Sequence, residues 1–118
     1  MEEIKTGEYV RTKSGDIGIF QRYTEEGISQ WFEMLSNGTL YTIPTIAIVK
    51  HRESITELLE KGDYINGHQI VNEIYGEDDN DLYFEIEGGY NQAKCIKENE
   101  IETILTKEQY ERDCYKIN

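Results

Sequence analysis

The tetrapeptide Gly7-Glu8-Tyr9-Val10 returns 55 residues later as Gly62-Asp63-Tyr64-Ile65. Each copy is glycine, an acid, tyrosine and a β-branched aliphatic, and each is followed by strand-forming residues. A chain of 118 residues has room for one ordinary domain or two very small ones. An opening written twice in that length points to a duplicated unit.

The rest of the chain follows the same plan. In the first half, strand patterns run over Asp16–Tyr23, Ser29–Leu35 and Thr39–Pro44. Period-two alternation puts Ile17, Ile19, Gln21 and Tyr23 on one face. It puts Trp31, Glu33 and Leu35 opposite Phe32 and Met34. Asn37-Gly38 sits between two such runs and predicts a hairpin, because both central positions of its turn need positive φ. Pro44 cannot donate to a ladder and marks a strand end or an edge. In the second half, Gln69–Gly76, Asp81–Glu87 and Tyr90–Lys97 read as strands, with Leu82, Phe84 and Ile86 facing one way and Gly88-Gly89 as the tight turn. Each half then carries a short strand-like run, Thr45–His51 and Glu100–Thr106. Each closes with a capping-box pattern, Ser54-Ile55-Thr56-Glu57 and Thr106-Lys107-Glu108-Gln109, which predicts a short helix. The helix begun at Ser54 is expected to stop at Gly62. Matching features recur at offsets of 51 (Asn37 to Gly88), 52 (Ser54 to Thr106) and 55 (Ile46 to Ile101).

The expected fold is therefore mainly β with minor α. It consists of two similar units, 1–60 and 61–118, each an SH3-like small barrel or a curled antiparallel sheet ending in a short helix. Gly15 and Gly67 supply the first turn of each, and Tyr9 and Tyr64 occupy equivalent core-edge positions. Units this short bury little apolar surface against roughly 1–2 kcal/mol of backbone entropy per residue, so the two are expected to pack into one body.

Charge narrows the function classes. Twelve basic and twenty-four acidic residues leave −12. Residues 1–60 carry six basic and ten acidic side chains, and residues 61–118 carry six and fourteen, so the negative field concentrates in the second half. Such a surface repels phosphate, which disfavours direct nucleic-acid binding and an anionic membrane and favours a basic partner. No apolar run approaches the roughly 20 residues that span a bilayer, and the first ten residues lack the plan of a signal peptide. A cytoplasmic protein is expected, with Cys95 and Cys114 as reduced thiols.

Catalytic patterns are weak. Gly15-Asp16-Ile17-Gly18 lacks the lysine and following helix of a phosphate loop, and no serine sits in a Gly-x-Ser-x-Gly elbow. His51, His68, Cys95 and Cys114 offer donor types that suit zinc, but each comes from a different part of the chain. The expectation is a protein that is not an enzyme and has no cofactor. The one distinctive stretch is Glu77–Glu87, with six acids, Glu77, Asp78, Asp79, Asp81, Glu85 and Glu87, and no base. Its Asp-rich part could hold calcium but lacks the EF-hand order, and the commonest form of such a run is a solvated acidic loop between strands. On a strand, Asp81, Tyr83, Glu85 and Glu87 share a face at intervals of roughly 6.6 Å. That row resembles the charge spacing of a nucleic-acid strand and could occupy a basic channel. The alternative binding surface is aromatic: Trp31, Phe32 and Tyr41.

Three segments also carry a resemblance: Thr6-Gly7-Glu8-Tyr9-Val10-Arg11-Thr12, the stretch Leu58–Gly67, and the tail Ile104-Leu105-Thr106-Lys107-Glu108-Gln109-Tyr110. With them the chain resembles small proteins encoded by phages and prophages of Gram-positive bacteria, over most of its length. The resemblance implies a phage origin and carries over no catalytic residue. By class analogy it implies an inhibitor of a host protein such as a CRISPR nuclease, an anti-CRISPR role in the host cytosol, as a monomer or homodimer. The alternatives are a phage regulatory or scaffold module that binds protein or peptide, and a sponge for a small nucleotide signal.

Overall fold

The structure, a computed structural model, describes residues 4–25, 28–75, 82–87, 94–114 and 117. The chain divides into two compact units, Met1–Leu58 and Leu59–Asn118. Both are curled antiparallel sheets, the open form of the two expected, and no described strand pairing closes either into a barrel.

The first unit contains β1 (Tyr9–Thr12), β2 (Ile17–Glu25), β3 (Ile28–Ser36), β4 (Thr39–Pro44) and β5 (Ile48–Arg52). Its sheet order is β4-β3-β2-β1-β5. The second contains β6 (Tyr64–Ile65), β7 (His68–Tyr75), β8 (Leu82–Ile86), β9 (Lys94–Lys97) and β10 (Ile104–Leu105), followed by α1 (Lys107–Asp113). Its order, β10-β6-β7-β8-β9, is the same arrangement with every label advanced by five.

The cores correspond residue by residue. Ile4, Val10, Phe20, Phe32 and Met34 fill the first, and Leu59, Ile65, Ile70, Phe84 and Ile86 the second. Across each sheet, Phe32 registers with Ile43 and Phe84 with Ile96. The repeated opener is a repeated set of hydrogen bonds. Gly7 and Gly62 both sit at φ 95°, where a side chain would be strained. Their N–H groups donate to the carbonyls of Phe20 (2.9 Å) and Ile70 (3.0 Å). The following acid then folds back onto the turn. Glu8 Oε2 accepts from the Lys5 amide at 2.5 Å, and Asp63 Oδ2 from the Glu60 amide at 2.7 Å. The other oxygen of each reaches the closing segment of its own unit. Glu8 Oε1 lies 3.2 Å from His51 Nδ1 on β5, and Asp63 Oδ1 accepts from the Lys107 amide at 2.9 Å, at the first turn of α1.

The hairpin at Asn37-Gly38 forms as expected, with φ 49° and 78° and Ser36 opposite Thr39. Asn66-Gly67 adopts the same conformation, φ 51° and 82°, and joins β6 to β7 with no further residues. The Asn66 side chain fastens this turn to the segment before β10, since its Oδ1 accepts from Glu102 N (2.7 Å) and Thr103 N (3.0 Å). Gly18 is needed for packing. A Cβ there would press on the Met34 side chain and lie 2.8 Å from the Leu35 carbonyl. The Gly88-Gly89 turn lies outside the described residues.

Three expectations change. On β2, strict alternation fails because the register shifts between Phe20 and Arg22, a bulge at Gln21. Phe20 and Tyr23 therefore both face the core, while Ile19 faces outward opposite Leu35. The segment after Ser54 is a 3-10 turn over Ile55–Leu58 rather than a helix running to Gly62. Leu58 is buried, and its carbonyl accepts from Nη1 of the buried Arg11 at 2.9 Å, which ends the turn against β1. Leu59 already belongs to the second core. Finally, Ile101 matches Ile48, not Ile46. Both follow a 3-10 turn (Thr45–Ala47 and Glu98–Glu100) and donate back to its first carbonyl, whereas Ile46 is exposed. The capping box on α1 is present: Gln109 N donates to Thr106 Oγ1 (3.3 Å) and Thr106 N to Gln109 Oε1 (3.0 Å). Tyr110 stacks on Tyr64 at 4.7 Å. No helix among the described residues is long and apolar enough to cross a membrane.

The acid clasp makes a direct prediction. Asp63→Ala leaves two amides without their acceptor in a buried site and costs on the order of 3 kcal/mol, read from the urea midpoint; Glu8→Ala, at a half-buried site, costs less. The Lys5 amide, with His51 adding to it, holds the Glu8 carboxyl below its ordinary value. Its contribution is thus complete above the unfolded pKa, about 4.3, and is lost as pH falls through the lower folded value. The stability gap between the wild-type chain and Glu8→Gln closes on acidification.

Candidate functional site

The outer face of the second sheet carries what the structure shows of the acidic run. On β8, Phe84 and Ile86 are buried and Leu82 packs beside them, so the intervening Tyr83 and Glu85 project from the opposite face. Glu87 continues that face just past the strand end, where its amide is held by the Gln69 carbonyl at 3.0 Å. Tyr83, Glu85 and Glu87 therefore stand together, as the alternation requires. Glu77, Asp78, Asp79 and Asp81 lie outside the described residues.

The neighbours on that face come from the flanking strands. Tyr83 registers with Lys97 on β9, and Glu85 with Asn72 on β7 and Cys95 on β9. Lys97 Nζ lies 5.6 Å from the Tyr83 ring centroid, within range of a cation–π contact. The face is thus acid–aromatic with one cation against the ring. Alternation along β8 alone does not reveal this cation. Its signal is the pair of lysines at 94 and 97 in the return strand, which must register somewhere along β8.

The three aromatic candidates do not form one surface. Phe32 is fully buried in the first core. Trp31 points outward from β3 beside Pro44, and Tyr41 registers with the buried Met34, on the core side of β4. The outward face of the first sheet is instead largely aliphatic: Ile19, Leu35 and Leu40 make a row across β2, β3 and β4. Next to them Arg22 pairs with Glu33 at 3.3 Å. Leu35 and Leu40 flank the Asn37-Gly38 turn symmetrically, a pattern that could have exposed the row.

The zinc-type donors are dispersed. His51 faces Glu8, Cys95 is exposed on β9, and Cys114 Sγ sits 3.5 Å from the Glu111 carbonyl. Both cysteines are free thiols. Among the described residues, no three His, Cys, Asp or Glu side chains are grouped to hold a metal ion. In the clasp region, a hydrogen bond from its ammonium to Glu60 at 2.8 Å raises the Lys107 pKa. Desolvation and then the Tyr110 phenol raise that of Tyr64.

Comparison with protein families, with curated proteins and with solved structures finds no match to this chain.

Because the acid–aromatic face stands apart from the core beneath it, the two respond differently to mutation. Glu85→Gln and Glu87→Gln change stability by less than about 0.5 kcal/mol, whereas Phe84→Ala costs about 3–5 kcal/mol. Thermal and urea unfolding of the three variants measure this.

Proposed function

We propose that this chain is a non-enzymatic, phage-encoded inhibitor that binds a basic, nucleic-acid-handling host defence protein. A CRISPR effector nuclease is the partner class that fits best. The observation that carries the reading is the outward row of Tyr83 and Glu85 on β8, with Glu87 just past its end, in the more acidic half. Alternate positions on a strand repeat at roughly 6.6 Å, so the Tyr83 ring and the two carboxylates succeed one another at about that interval. A basic channel that takes a phosphate backbone and stacks bases on aromatic side chains presents the complementary charge.

The overall charge of −12 supports the same reading through kinetics. A strongly negative body is steered toward a positive cleft, and the steering fades as the Debye length shrinks from about 10 Å at 0.1 M salt to about 3 Å at 1 M. The acidic row distinguishes the second unit from the first.

The test is capture from a host lysate on the immobilised chain at low and high salt, with mass spectrometry of the eluate. A basic nucleic-acid-handling protein is expected at low salt and is released at high salt. Combined reversal of Glu85 and Glu87 to lysine, with Glu77, Asp78, Asp79 and Asp81 neutralised, weakens its capture at least tenfold. Unchanged capture by that variant, or no basic partner at either salt, overturns the proposal.

A further inference from the structure

Among the described residues the two sheets end in four edge strands, β4 and β5 in the first and β9 and β10 in the second. β5 carries Lys50 and Arg52, β9 ends with Lys97, and β10 is two residues long. Charge, proline and brevity are the usual means of keeping a sheet edge from pairing with another chain. β4 has only a proline, at its last position. It is six residues, Thr39-Leu40-Tyr41-Thr42-Ile43-Pro44, with no charge, and its first four residues are exposed. A neutral edge is the exception in a chain of net charge −12.

The backbone of β4 is also self-complementary. The two-residue turn makes Ser36 and Thr39 a hydrogen-bonded pair, and bonded pairs alternate from there. Thr39, Tyr41 and Ile43 thus spend their backbone groups on β3. Leu40 and Thr42 turn theirs outward, and Pro44 has its missing N–H on the outward side, where a ladder hydrogen bond is not broken. Outward donors and acceptors at 40 and 42, centred on 41, match a second copy running antiparallel about a two-fold axis. Leu40 of one copy then exchanges both hydrogen bonds with Thr42 of the other. Tyr41 meets its own counterpart in the non-bonded position, where side chains lie closest.

We infer that β4 is a homodimerisation edge, which joins the first-unit sheets of two copies antiparallel about Tyr41. The occupant is a second copy because the outward backbone groups of β4 complement themselves about Tyr41, and the strand carries no charge to repel its like in a chain of net charge −12. The contact is one strand wide, so the dimer is weak and concentration-dependent. It does not rest on the proposed partner of the acidic face. It also has the opposite salt response, since salt screens the repulsion between two molecules of like charge and strengthens the dimer.

Sedimentation of the full chain from about 10 μM to about 1 mM tests this. The expected mass rises from 13.8 kDa toward twice that value, more readily at high salt. Thr42→Pro removes an N–H that β3 does not use, and Leu40→Lys places a charge on the edge. Each weakens the dimer at least tenfold while circular dichroism stays that of the folded chain. If Thr42→Pro fails to fold, Leu40→Lys alone decides. For the register, Tyr41→Cys in a Cys95→Ser, Cys114→Ser background forms an intermolecular disulfide on mild oxidation, because directly opposed non-bonded Cα atoms lie about 4.5 Å apart. Thr39→Cys in the same background does not. A chain that stays monomeric throughout, or a dimer untouched by the edge variants, overturns the inference.

Discussion

A carboxylate turned back onto its own backbone is the interaction on which each half of this protein depends. Glu8 and Asp63 each follow a glycine held at φ 95° and accept a hydrogen bond from the amide three residues earlier. Each also reaches the last segment of its unit. One side chain thereby ties the beginning of a five-stranded sheet to its end. Buried amides must find acceptors, and an ionised carboxylate is the strongest acceptor a short loop can offer. Asp63, fully buried, is satisfied by two amide donors that fix its position and that of α1 together.

Around that shared clasp the two units diverge where they close. The first ends in a 3-10 turn whose final carbonyl is held by the buried Arg11. The second ends in a capped helix whose Tyr110 lies on Tyr64. At the position of Arg11 the second unit has Asn66, which does a different job, pinning a tight turn to the strand that returns beside it. The surfaces diverge as well. One outer face carries an aliphatic row beside the Arg22–Glu33 ion pair, and the other presents carboxylates and a tyrosine.

Much of this was legible in the chain. Asn37-Gly38 announced its turn because few residue pairs tolerate two consecutive positive φ angles. Alternation on β3 and β8 sorted buried from exposed residues correctly, since a strand with one buried face leaves no choice of phase. It failed on β2 because an extra residue at Gln21 shifts the phase midway, and nothing in the residue types marks a bulge. Ser54-Ile55-Thr56-Glu57 has the residues of a helix start, yet its four residues stop as a 3-10 turn where Leu58 meets Arg11. The aromatic surface was misjudged for a related reason. Trp31, Phe32 and Tyr41 are similar in type, but their faces depend on cross-strand register.

By itself the sequence determined that there would be two sheets of one plan, which faces of β3 and β8 would be buried, and that the chain would be strongly acidic. Those properties follow from local rules: periodicity, turn chemistry and composition. Only the tertiary structure decided which side chains share a face, which strand edges are left open, and what the repeated acid is for. These are properties of register and closure. They arise from contacts between residues far apart in the chain, and local pattern carries no record of such contacts until the sheet has formed.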